Sequence, residues 1–192
     1  MRSYKTEGIV VKRKNFGEAD RILTILTPNY GKIQVRAPGV RRITSRRSSH
    51  IELLNLTLLT LYRSSHSFLP IVTEAHSQEE FLLIKKTLEK IGLTYYICEL
   101  IDAFCAQNQE NRKVFFLVKD TLFKLSNYSL SNNETMQQWN NKTIDNFEEE
   151  LLVSLGFLPK QHRPLDKKIF IESILEKKLF AKRLLPVFLE RP

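Results

Sequence analysis

Apolar and polar residues alternate in short bursts over the first 75 or so positions, and the spacing then changes to three and four. Tyr4 to Lys12 reads as a strand, with Gly8 as a bulge or bend, followed by a turn over Asn15–Asp20. Arg21 to Thr27 is a second strand rich in β-branched residues, and Pro28–Gly31 turns the chain. Lys32 to Ala37 is a third strand, in which Ile33, Val35 and Ala37 mark one face. After a polar loop, Ile51 to Tyr62 (Leu54, Leu56, Leu58, Leu59) and Phe68 to Ala75 give two more. Five short strands with turn signals and no long helix predict a small closed barrel, with the OB-fold as the leading candidate.

From Ser77 the apolar positions fall at Phe81, Ile84, Leu88, Ile91, Tyr95, Ile97, Ile101 and Phe104. Ser77 with Glu80 has the spacing of a capping box, so a long helix is expected to start there. Asn111–Ser126 predicts a second helix, Asn127–Asn133 a loop, and Met136–Asn141 a short helical piece around Trp139. Thr143–Leu155 predicts a further helix closed by Gly156 and followed by Pro159. After Pro164, Ile169–Leu185 reads as helical up to Pro186. The expected architecture is β barrel plus α: an OB-fold over residues 1–77 and a helical bundle over 78–192, with no repeat and no linker.

Charge sharpens this picture. Residues 1–50 hold twelve Lys and Arg against three acids, which accounts for the whole net charge of +9. Lys32, Arg36, Arg41, Arg42, Arg46 and Arg47 surround the turn at Pro38-Gly39, with Arg21 just upstream, and no acid occurs between Arg21 and Ile51. A planar guanidinium fork suits phosphate, so a polyanion such as nucleic acid is the natural partner. A solvated basic loop or a localisation-type tract has the same composition.

Catalytic chemistry is not legible. There is no GxxxxGK[ST], GxGxxG or GxSxG, and His50, His66, His76 and His162 have no neighbouring Cys or second His at ligand spacing. Glu148-Glu149-Glu150 reads as a solvated run at a helix start, and Glu18 with Asp20 is a poor basis for a metal site. Cys98 and Cys105, seven apart, are expected on one helical face as buried thiols, with no disulfide, no zinc and no cofactor. No apolar run reaches membrane-spanning length and no signal region opens the chain, so a cytoplasmic location is expected. Tyr4, Phe16, Tyr30 and Tyr62 are the barrel's stacking candidates, although each also suits a core or turn.

Several stretches carry a resemblance: Glu7-Gly8-Ile9-Val10-Val11-Lys12, Gly17-Glu18-Ala19-Asp20-Arg21-Ile22-Leu23-Thr24 with Leu26-Thr27-Pro28, Gly31-Lys32, and Gly39-Val40-Arg41-Arg42 with Ser45-Arg46. In this order and spacing the chain resembles the RecO family of bacterial recombination mediators. Weaker likeness continues in Tyr95–Leu100, in Glu149–Phe157 and in Lys178–Arg183. The resemblance implies an OB-fold packed on a helical domain that often carries a four-cysteine zinc site. Here Leu155-Gly156-Phe157 is followed by Pro159-Lys160-Gln161-His162-Arg163 without cysteine, so the zinc lobe is expected to be absent or reduced. It also implies a non-enzymatic protein, associated with the nucleoid, that binds single- and double-stranded DNA, anneals strands and helps load RecA with RecR. The DNA-binding residues it implies are Lys12, Arg13, Arg21, Lys32, Arg36, Arg41, Arg42, Arg46 and Arg47.

The family also contacts the acidic C-terminal tail of single-strand-binding protein. For that peptide Arg112 and Lys113 are the preferred basic pair, because Val114, Phe115 and Phe116 follow them. Two other readings use the same basic face: an adaptor that docks an acidic protein, and an RNA-binding OB module. A steep salt dependence excludes the first, and a DNA-versus-RNA comparison separates the second.

Overall fold

A computed structural model describes residues 2–65, 67–127, 135–159, 166–176, 178, 179 and 181. Five strands, β1 (Arg2–Phe16), β2 (Asp20–Thr27), β3 (Gly31–Ala37), β4 (Leu56–Arg63) and β5 (Ile71–Glu79), close into a barrel in the order β1-β2-β3-β5-β4. All pairings are antiparallel except β3 with β5, which meet in parallel at Arg36 and Ile71. This is the OB-type barrel expected from the alternation.

Its interior is filled by Leu23 and Ile25, Leu59 and Leu61, Val72 and Ala75, and by Ile33, Val35 and Ala37, the face that the sequence marks in β3; Leu58, read with Leu56 and Leu59 as apolar strand, is instead exposed. Each large aliphatic side chain taken out of water contributes roughly 1.5–3 kcal/mol, so the period of two fixes which strand faces turn inward. The bulge in β1 falls between Val10 and Lys12 rather than at Gly8. Gly8 lies within the β1–β4 ladder, where a Cβ would run into the Ile25 side chain.

Two strands begin later than their composition predicts. Ile51 lies in a 3-10 turn (Ser49–Ile51) and is buried in the barrel core, so β4 starts at Leu56. β5 runs past Ala75 to Glu79 because Leu56 and Thr57 of β4 pair with Glu79 and Ser77. The helix expected at Ser77 is thereby displaced. Ser77 Oγ does bond Glu80 Oε1 at 2.8 Å, but within extended chain. Phe81 then turns the backbone through φ 48° into α1 (Leu82–Lys85), and α2 (Leu88–Phe104) follows after a break.

Contacts divide the chain into two compact units, Met1–Glu80 with Cys105–Phe115, and Phe81–Phe104 with Phe116–Pro192. In the first, the returning segment follows β3: Asn108 N–H donates to the Lys32 carbonyl at 2.8 Å, and Gln107 bridges Lys32. Gly31 (φ 64°) makes room for it, since a Cβ there would stand 1.8 Å from the Gln109 carbonyl oxygen. Cys105 belongs to this segment and Cys98 to α2, so the two thiols do not share the expected helical face.

The second unit contains α2, α4 (Met136–Ser154), α5 (Lys167–Leu175) and most of α3 (Arg112–Ser126). α4 is one helix, not two pieces. Thr135 and Gln138 form a reciprocal capping box at its start, and Gly156 (φ 81°) follows its C-cap. Glu148 is therefore mid-helix and buried, not a solvated residue near a helix start, and it accepts a 2.6 Å bond from the Tyr96 hydroxyl. The loss of solvent first, and that carboxylate second, drive the Tyr96 phenol well above its ordinary pKa. The expected loop over Asn127–Asn133, apart from Asn127, lies outside the described residues. So do His66, His162, Pro164 and the expected helix beyond residue 176, apart from residues 178, 179 and 181.

Candidate nucleic-acid interface

Strand register divides the basic residues of the barrel into two sets. The cross-strand row Lys14–Ile22–Arg36 and the row Lys12–Thr24–Gln34 lie on the outer face of β1, β2 and β3. The intervening rows, Arg13–Leu23–Val35 and Asn15–Arg21–Ala37, share the side of the core residues Leu23, Val35 and Ala37. Arg13 and Arg21 thus start from the interior side of the sheet, and both pair with Glu52, Arg21 at 3.1 Å. Lys32 is only 4% exposed. Burial and ion pairing thus draw Lys32, Arg13 and Arg21 away from the exposed basic set. Lys14 joins that set instead; its alternation with Lys12 was the signal for it.

The loop from Pro38 to Ser48 is held at both ends by its own arginines. Asp20 Oδ1 accepts the Gly39 N–H at 2.7 Å, and its Oδ2 receives Arg36 Nε at 2.8 Å and Nη2 at 2.6 Å. The Gly39 bond first, and the Arg36 guanidinium second, hold the Asp20 carboxyl below its ordinary range. Arg36 also lies over the Phe16 ring, 5.4 Å from its centroid. Arg41 donates to the Gly17 and Glu18 carbonyls at 3.3 and 3.1 Å, and its N–H bonds Ala19. Arg47 donates to the carbonyls of Val72 and, at 2.8 Å, Pro38.

Two loop arginines remain. Arg42 and Arg46 are exposed and make no side-chain hydrogen bond or ion pair among the described residues. Between them Ile43 is fully exposed. A loop whose backbone is fixed loses little entropy when its free guanidiniums meet phosphate, and charge-assisted bonds from Arg are strong there. Exposed Lys12 and Lys14 continue the positive surface across β1.

Arg112 is placed differently from its expected role. Arg112 and Lys113 open α3 but belong to the barrel unit, and Val114 and Phe115 behind them are buried. The Arg112 guanidinium is engaged by Glu110 at 3.0 Å and by Asn29 Oδ1 at 2.8 Å. The combination of apolar floor and ammonium groups occurs instead in the helical unit. There Leu117, Trp139 and Phe147, with Lys124 and Lys142 and one acid, Glu150, line a pocket of about 150 Å³.

Among the described residues no group of three or more His, Cys, Asp or Glu side chains could hold a metal ion. The fold does bring His50 and His76 together, with ring centroids 5.9 Å apart, and His50 Nδ1 lies 2.9 Å from Ser77 Oγ. Burial pushes the Cys98 thiol up to about 12 and the Cys105 thiol up to about 11, so neither is a ready thiolate ligand. The four-cysteine site that the resemblance implies does not fit these two residues. No helix among the described residues is long and apolar enough to cross a membrane.

The family model described as recombination protein O N terminal matches residues 1–81, and that described as recombination protein O C terminal matches residues 85–164. The chain is 36% identical over 159 residues to the DNA repair protein RecO of Roseiflexus sp. (strain RS-1), covering 83% of this chain and 52% of that protein. It is 34% identical over 157 residues to the DNA repair protein RecO of Dehalococcoides mccartyi (strain BAV1), covering 82% and 58%. To that of Acetivibrio thermocellus it is 30% identical over 159 residues, covering 83% and 59%. The chain thus spans little more than half the length of these relatives.

Proposed function

The chain belongs to the RecO family of DNA repair proteins, and from that premise we propose that it acts by binding DNA, as a strand-annealing recombination mediator without catalytic chemistry of its own. In this reading it holds single- and double-stranded DNA, pairs complementary strands, and helps RecR load RecA onto strands coated by single-strand-binding protein, at the bacterial nucleoid. One observation carries it. Three arginines and Asp20 are spent on fixing the Pro38–Ser48 loop, while Arg42 and Arg46 are left exposed, as are Lys12 and Lys14 on β1. Phosphate contacts without base readout suit a protein that must accept any sequence.

The test is a salt titration with labelled oligonucleotides of unrelated sequence, followed by an annealing assay on complementary strands. Affinity is expected to fall log-linearly with salt, alike for all sequences. A flat salt response would point to an acidic protein as the partner, and tighter binding to RNA of the same sequence would favour an RNA module.

For the acidic, apolar-ended tail of single-strand-binding protein, the pocket of Leu117, Trp139 and Phe147 supports docking better than Arg112 and Lys113 do. A fluorescent tail peptide should bind the whole chain and lose affinity on replacement of Lys124 and Lys142 by Ala. Unchanged binding in that variant would remove this pocket from the reading.

A further inference from the structure

A second surface of the barrel unit is a cleft lined by aromatic and polar residues. The chain between β4 and β5 stands beside the β2–β3 turn and the residues around Gln107, enclosing a cleft of about 1290 Å³. Tyr4 and Tyr30 line it with ring centroids 4.9 Å apart, tilted by 53°. Phe68 also lines it, 96% exposed, an aromatic ring left almost wholly in water. Gln34 and Asn108 are part of the same lining, as is Asn29, whose Oδ1 already accepts from Arg112, and exposed Arg63 adds a cation.

We propose that this cleft captures an unpaired nucleobase of a DNA strand whose phosphates lie along the basic face, by stacking on Phe68 and Tyr30. The proposal rests on the DNA-binding reading above and adds how a single strand is distinguished from a duplex. Three features select a base over an apolar peptide. Aromatic faces stack on any base, so the contact tolerates every sequence. Asn and Gln side chains offer both donors and acceptors to base edges. The cleft also continues into the phosphate surface, because Gln34 and Arg36 are alternate outward residues of β3 and the Arg36 N–H donates to the Pro70 carbonyl at 2.8 Å. Among the described lining residues Glu110 is the one acid, and Arg112 pairs with it at 3.0 Å. A base in a duplex is stacked and paired and cannot enter. Pairing with a complementary strand therefore competes with the cleft, which releases the base as the duplex forms.

The test is a two-by-two cycle on the full chain. Wild type and Phe68→Ala are each titrated with a short oligothymidylate and with the same backbone carrying abasic sites at its centre. Phe68 is exposed, so the substitution leaves folding intact. Wild type should lose about 5- to 150-fold in affinity on removal of one stacked base (about 1–3 kcal/mol), with its salt slope unchanged. Phe68→Ala should bind the intact strand more weakly than wild type and the abasic strand equally well. If both proteins bind both strands alike with a steep salt slope, the cleft holds no base while the phosphate reading stands. Absence of salt-dependent binding to either strand removes both. If Phe68→Ala instead loses only a fluorescent acidic-tail peptide, the cleft is a protein site and the proposal fails.

Discussion

Replacing Arg42 and Arg46 together by glutamate weakens oligonucleotide binding more than any other pair of substitutions on the barrel. Each phosphate contact adds about 0.7 to the slope of log affinity against log salt for a single strand, so losing two lowers the slope by roughly 1.4 and the affinity at 0.1 M salt by roughly 25-fold. Repulsion from the new carboxylates deepens the loss. Both side chains are exposed and neither makes a hydrogen bond among the described residues; Arg42 acts on the fold only through its charge near Asp20, so the thermal midpoint should fall little compared with the loss of affinity. Arg47→Ala gives the contrasting pattern. Its guanidinium ties the loop to the Pro38 and Val72 carbonyls, so its removal lowers stability as well as affinity. An unchanged salt slope in the Arg42→Glu, Arg46→Glu variant places the DNA elsewhere.

Gly31→Ala is the substitution expected to cost the fold most for the least change in composition. An L residue at φ 64° is disfavoured by roughly 1–2 kcal/mol, and forcing a methyl group against packed backbone adds roughly 1–3 kcal/mol. The obstacle is the Gln109 carbonyl, which cannot rotate away as a side chain would. Chemical denaturation should show the loss. Hydrogen exchange should show it at the Asn108 amide, whose bond to Lys32 depends on the same close approach. A variant as stable as the wild type, with Asn108 still protected, would mean that the segment is not held as described.

The barrel was legible because alternation is a local signal and the core obeys it. Ile33, Val35 and Ala37 are inward in β3 just as their spacing indicates. Errors arose where a partner distant in the chain decides. Ser77 and Glu80 carry a helix-start spacing, yet pairing with Thr57 keeps Ser77 extended. Arg13 and Arg21 look like members of one basic surface until register turns them towards Glu52, which lies far along the sequence. The strand pattern already contained the parity that separates Lys12 and Lys14 from Arg13, so part of that placement was readable. Thr135 with Gln138 was likewise a readable capping box, and it unites Met136–Ser154 into one helix. Glu148 could not be read as buried, because its partner Tyr96 comes from another helix. Nor could the engagement of Arg112 with Glu110 and Asn29 be foreseen from the apolar residues that follow it.

The barrel unit does not end where its last strand ends. It takes in Cys105–Phe115, after an excursion of the chain through Phe81–Phe104. Synthesis on a ribosome is vectorial, so all five strands emerge before the piece that seats against β3 has been made. During that interval Gly31 and the Lys32 carbonyl stand without the backbone they later meet. The N-terminal unit therefore cannot reach its final form until α2 and the turn after it have also left the tunnel.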